Sequence, residues 1–187
     1  MYFGLMRKLF LAAIPLLVGC GAPYKFVAHA EPNPFTRPGC RANFEPLRVD
    51  ALMVGEKPVA QYAGEKSAGS ADSFDKDLLA ADGIFHGRVA EDYGFLFSPG
   101  GAPDNTFTIR PMFVHWEPGF YAVFAARPGV ANVVFDVLAP NGQLLDKVEI
   151  ETRASDFSSG GRMRLALKDA GRRMARYLED NWLCAAH

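Results

Sequence analysis

The chain has 187 residues, 49% of them hydrophobic, with 20 Lys and Arg against 21 Asp and Glu for a formal net charge of −1. That length suits one domain with a sizeable core. The near-neutral balance speaks against a nucleic-acid partner, which calls for a clearly basic domain.

The first element in chain order is an export signal. Arg7-Lys8 precede an apolar run from Leu9 to Val18, and Gly19 is the small residue before a cleavage point. The run is too short for a permanent membrane helix, which needs roughly 20 residues. Its ending, Leu17-Val18-Gly19-Cys20, resembles the bacterial lipobox, in which the chain is cut before Cys and that Cys is acylated. The expected segments are a signal peptide over 1–19, the lipidated Cys20 with a proline-rich tether over 20–40, and a periplasmic domain over 41–187. Cleavage removes Arg7 and Lys8 and takes the formal charge from −1 to −3. One acyl chain binds a membrane marginally, whereas the three chains that the resemblance implies anchor it stably. Gly21, where an Asp would favour inner-membrane retention, points to the periplasmic face of the outer membrane. With Cys20 acylated, Cys40 and Cys184 remain as an even pair in an oxidising compartment, which makes them a disulfide candidate. Such a bridge would tie the start of the domain to its last helix and contribute about 4–5 kcal/mol in the chain-entropy model.

Residues 21–40 hold Pro23, Pro32, Pro34 and Pro38 with little apolar periodicity, the composition of a semi-extended tether that lifts the domain off the membrane. Leu47, Val49 and Ala51 alternate in a first strand over 44–54. Residues 55–72 read as a loop or weak helix start. Ser70 or Asp72 can cap a helix to about Glu91, with Phe74, Leu78, Ala81, Phe85 and Val89 on one face. Gly83 and Gly87 weaken it by about 1 kcal/mol each against Ala. Tyr93 to Phe97 is a short strand before a turn over 98–105. In the strand over 106–116, Phe107, Ile109, Phe113 and His115 share a face. Pro111 lacks a donor and predicts a sheet edge or a bulge. After a short strand over 121–126, Ala139-Pro-Asn-Gly142 joins strands over 131–138 and 144–153 in the clearest hairpin signal of the chain. Ser158 or Ser159 then caps a helix to about Leu183, with Leu167, Ala170, Met174, Leu178 and Trp182 facing the sheet. The order predicts an α+β fold, a mostly antiparallel sheet with helices on one face, in a single domain.

Chemistry-bearing motifs are sparse. His29, His86, His115 and His187 have no partners at metal-ligand spacing, so no metal or cofactor is expected. There is no Gly-x-Ser-x-Gly elbow, and Asp72, Asp75 and Asp77 read as solvated helix charges. Ser158-Ser-Gly-Gly-Arg162 opens a helix and offers donors to an anion, but it lacks the ending of a phosphate loop. Arg162, Arg164, Lys168, Arg172, Arg173 and Arg176 gather on the last helix against Asp169, with Glu179 and Asp180 following. Their cations begin in the first turn, where they oppose the helix dipole. A solvated face is the plain reading; a contact patch for anionic lipid or an acidic partner is the functional one.

Leu17-Val-Gly-Cys20, the strand ending at Val54, Ser73-Phe-Asp-Lys76 at the helix opening and the strand through Phe107-Thr-Ile109 form a familiar order. The hairpin from Val133 to Gly142 and the helix through Trp182 complete it. Over residues 41–183 the chain resembles small α+β envelope lipoproteins that share a domain with the N-terminal part of TolB, the curli-secretion lipoprotein and LpoB. The resemblance implies a non-catalytic accessory or assembly module with an envelope protein partner, and it carries over no catalytic residues. Two alternatives stay open: a wall or lipid hydrolase with convergent acids in a deep pocket, and a lipid-binding or transport domain with a large apolar cavity.

Overall fold

Alternation of buried with less buried side chains along three long strands builds the centre of the molecule. A computed structural model of the chain describes residues 23–30, 41–93, 106–122 and 124–181. The elements in order are β1 (Lys25–His29), β2 (Arg41–Phe44), β3 (Met53–Val54), β4 (Lys57–Pro58), α1 (Val59–Gly64) and α2 (Ala68–Tyr93). They continue with β5 (Thr106–Glu117), β6 (Phe120–Ala122), β7 (Ala125–Arg127), β8 (Gly129–Leu138), β9 (Leu144–Ala154) and α3 (Ser159–Asn181). Seven strands form one sheet in the order β1-β9-β8-β5-β3-β4, with β2 also on β5. The pairs are antiparallel except β2 and β3 against β5. The fold is α+β in a single domain, as the element order predicts.

The β8–β9 hairpin closes through Ala139–Gly142, where Gly142 takes φ +82° and Ala139 donates to the Gln143 carbonyl at 2.8 Å. Ala131, Val133, Phe135 and Val137 on β8, with Val148 and Ile150 on β9, point to one face and are fully buried. Met163, Leu167, Ala170, Met174 and Leu178 of α3 cover them, and Ala81, Phe85 and Val89 of α2 complete the core. The backbones of the two helices come close at Gly171, where an added Cβ would lie 2.7 Å from the Phe85 carbonyl oxygen. Gly83 and Gly87 fall on the solvent side of α2, with nothing within 4 Å of a built Cβ, so they do not interrupt packing.

Several elements differ from expectation. The first strand is split into β2 and β3, and Arg48 bridges to Met112 between them. β5 lies in the interior of the sheet, not at its edge, and carries a register shift, the other expectation for the strand that holds Pro111. Pro111 is accommodated because its carbonyl accepts from Arg48, so its missing donor faces the gap between β2 and β3, away from β8. The register of β5 against β8 shifts between Phe113 and His115. That shift turns His115 out of the core and carries Trp116, fully buried, into its place. The strand over 121–126 is instead a separate two-stranded hairpin of β6 and β7.

The largest correction concerns the tether. Lys25–His29 pair antiparallel with β9, Lys25 opposite Glu149 and His29 opposite Asp146. Edge pairing and the burial of Phe26 against Tyr177 hold this segment despite the flanking prolines. Only residues 20–24 are left between Cys20 and the first paired strand. The signal peptide, Cys20, Cys40, the segment 94–105, Trp182, Leu183, Cys184 and His187 lie outside the described residues.

Candidate interaction surface

Pro118 to Ala126 is a run of nine residues without a charge, and it carries three aromatics. Gly119, at φ +63°, turns the chain out of β5, and a side chain there would meet the Arg127 and Pro128 backbone. β6 and β7 then pair Phe120 with Arg127, Tyr121 with Ala126 and Ala122 with Ala125. The chain re-enters the sheet at Gly129, where a Cβ would stand 2.5 Å from the Trp116 ring.

The base of this hairpin is held by Arg162, which is 5% exposed. Its Nε donates to the Pro118 carbonyl at 2.6 Å and its Nη1 to the Asp156 carbonyl at 2.5 Å. One buried guanidinium thus ties the hairpin to the β9–α3 connection, and Phe157 of that connection packs edge-on against Tyr121 at 4.7 Å. Arg162 therefore leaves the expected basic patch and becomes a structural staple. Phe120, Tyr121, Phe157 and Phe124 are 50%, 53%, 78% and 100% exposed, and they are the aromatic side chains among the described residues that stand most open to solvent. Tyr121 and Phe157 form one exposed aromatic pair, while Phe120, next to Tyr121 on β6, points to the other face of the ribbon.

The other expected basic residues are engaged at the surface. Arg164 pairs with Asp77 at 3.0 Å, Arg172 and Arg173 both pair with Asp169, and Arg176 pairs with Glu179 and Asp180. Arg173 also donates to the carbonyls of Glu151 and Pro23. Lys168 stands exposed beside Leu165 on the same helix.

A cleft of about 510 Å³ lies between the N-terminal parts of α2 and α3, lined by Tyr62, Lys66, Ser73, Asp77, Ser159 and Arg164 among others. The Ser158-Ser-Gly-Gly-Arg162 segment borders it, and its donors meet internal groups. Gly161 donates to the Ser158 hydroxyl, while Asp77 and Asp156 crowd the Cα atoms of Gly160 and Gly161. The α3 terminus is capped from within the protein. Asp72 pairs with Lys76 and Asp77 with Arg164, so these carboxylates do not converge as an acid pair.

A buried polar cluster joins β1, β9 and α3. Asp146 is 1% exposed and accepts from the Tyr177 hydroxyl at 2.6 Å, with His29 Nδ1 2.7 Å from its other oxygen. Burial first, then the Asp146 carboxylate, push the Tyr177 phenol well above its ordinary value and keep it a donor. With both carboxylate oxygens satisfied, the cluster clips β1 to the core. On α2, burial lowers the His86 pKa against the opposing pull of Asp82, whose Oδ1 lies 2.7 Å from Nδ1 and also accepts from the Leu47 amide. Among the described residues no group of three or more His, Cys, Asp or Glu side chains is placed to hold a metal. No helix among them is long and apolar enough to cross a membrane.

No family model matches the chain, and no curated protein matches it either. Among solved structures, it is similar to the PelC dodecamer from Paraburkholderia phytofirmans at 10% identity and a TM-score of 0.42, over 81% of this chain and 96% of that one. A point variant of the same PelC matches at 11% identity and a TM-score of 0.38, over 78% and 94%. Neither is one of the TolB, curli-secretion or LpoB proteins whose pattern the sequence resembles.

Proposed function

We propose that this chain is a lipid-anchored binding module of the bacterial envelope, acylated at Cys20 and docking an envelope protein through the β6–β7 hairpin and Phe157. The module is non-catalytic and sits on the periplasmic face of the outer membrane, where the lipobox and Gly21 direct it. The observation that carries the reading is the exposed pair of Tyr121 on the hairpin and Phe157 on the β9–α3 connection, with Phe124 wholly exposed at the hairpin turn and the base fixed by Arg162. Rigid aromatic anchors with few rotamers lose little entropy on docking and dominate interface energies.

A photo-cross-linking residue in place of Phe124 tests it in intact cells. One dominant envelope protein should be recovered, and Tyr121→Ala with Phe157→Ala should lower that recovery by at least roughly 10-fold, as hot-spot truncations do. Unchanged recovery would overturn the docking assignment. Cys20→Ser should release the protein from the membrane fraction.

The module also carries a Cys40–Cys184 bridge. In support, Arg41 lies opposite Thr106 and Tyr177 reaches Asp146, so β2 begins and α3 ends toward the Leu138–Leu144 end of the sheet. Intact-mass analysis of protein from the envelope should find both thiols missing, and two free thiols would remove the bridge.

A further inference from the structure

The chain between the lipid and the first described residue is very short. Cys20 precedes Pro23 by three residues, so its Cα is at most roughly 11 Å from that of Pro23. Pro23 itself lines a groove of about 370 Å³ with Arg172, Arg173 and Arg176, and Arg173 Nη1 donates to its carbonyl at 3.4 Å. A second groove of about 510 Å³ continues from Arg172 past Asp169, Lys168 and Leu165 to Arg88 and Glu91. Leu165, Lys168, Arg172 and Arg176 follow at three- and four-residue spacing, one outward stripe of α3.

We propose that this stripe, with Arg173 beside it, is a headgroup-binding surface that lays the domain against anionic phospholipid of the membrane holding its own anchor. The inference rests on acylation at Cys20. The attraction of an anionic membrane surface falls off within a Debye length, about 8–10 Å. Pro23, leashed within roughly 11 Å of the lipidated residue, is held at a distance comparable to that zone, and the arginines that line its groove are held beside it. The carboxylates facing the cluster are Asp169, Glu179, Asp180 and Glu91, which pairs with the more enclosed Arg88; the pairs of Arg172 and Arg176 are exposed, these arginines being 66% and 55% open to solvent. Such pairs are worth little, and a guanidinium with five donors can take a phosphate oxygen while keeping its carboxylate. Leu165, 47% exposed, adds an apolar contact at the far end of the stripe.

The test uses the whole protein extracted from membranes, with acylation of Cys20 read from the intact mass. It is reconstituted into phosphatidylcholine vesicles with and without phosphatidylglycerol and treated with phenylglyoxal. Modification of Arg172 and Arg176 should be several-fold slower on the anionic vesicles, and high salt should restore it. Arg48, 48% exposed on the β2–β3 connection, should react equally on both. Equal rates at Arg172 and Arg176 on the two vesicle types would overturn the headgroup surface and leave the anchor standing. An unacylated Cys20 would overturn the anchor instead. The same chain would then be sedimented with phosphatidylglycerol vesicles, where Arg172→Gln with Arg176→Gln should weaken binding roughly 30-fold, at about 1 kcal/mol per arginine. No weakening there would remove the surface as well.

Discussion

The β6–β7 hairpin and the α3 arginine stripe are both open to solvent, yet their exposed atoms are differently committed. The hairpin presents aromatic carbon, with Phe124 wholly exposed and Tyr121 packed against the exposed Phe157 of the β9–α3 connection. Burying that area against a partner is favourable at about 25 cal/mol per Å², is short in range and is little affected by salt. The arginines instead already hold Asp169, Glu179 and Asp180, so an incoming anion gains only the difference between two partners. That gain is electrostatic and is screened as salt rises. A surface can thus be tuned by range: in the two proposals the arginines would act on a whole membrane plane and the aromatics on one matching face.

The comparison is broken most severely at Arg162. Arg162→Met leaves the Pro118 and Asp156 carbonyls without their buried donor and should lower unfolding stability by about 3 kcal/mol in urea titration. Amide exchange across 118–128 should quicken at the same time, showing that the hairpin has lost its fixed base. Gly129→Ala is the next largest, roughly 1–3 kcal/mol, because the new Cβ would stand 2.5 Å from the Trp116 ring. Its effect should reach partner recovery while leaving the arginine face unchanged. Gly83→Ala and Gly87→Ala lie apart from both surfaces and should each raise stability by about 0.5–1 kcal/mol, since their Cβ positions are open. The smallest effect belongs to Arg172→Gln and Arg176→Gln, which should shift stability by less than about 0.5 kcal/mol. Their consequence is reserved for binding, which separates them from Arg162 on the same helix.

Much of the fold was legible because it rests on short-range signals. Ala139-Pro-Asn-Gly142 marks the β8–β9 turn, and the spacing of Phe74, Ala81, Phe85 and Val89 marks α2. Ser158 marks the start of α3 through its own hydroxyl. What was missed depends on neighbours distant in the chain. Whether Pro111 is an edge residue depends on which side its absent donor faces, and the gap between β2 and β3 decides that. Whether His115 or Trp116 enters the core depends on a register shift that alternation alone hides. Lys25–His29 read as tether because a five-residue strand between prolines has no turn signal of its own, while its partners Asp146 and Tyr177 lie more than a hundred residues away. The basic stripe was visible as charge periodicity, but the inward turn of Arg162 was not. The aromatic surface was least legible of all. The residues 121–126 read as one short strand with no sign of the turn inside it, and Phe157 gave no signal beyond its exposure once Tyr121 had been placed beside it.

The pairing of β1 with β9 also sets how the molecule bears load. In the proposed anchorage, a pull on the lipid would reach the domain at Pro23 and run along β1 in the strand direction, so the ladder would be sheared and not unzipped. The far end of that ladder is pinned by Asp146, gripped between His29 and Tyr177 inside the core. Under that anchorage, tension would therefore pass through the β1–β9 ladder and, at its inner end, through one buried carboxylate of the strand next to the edge.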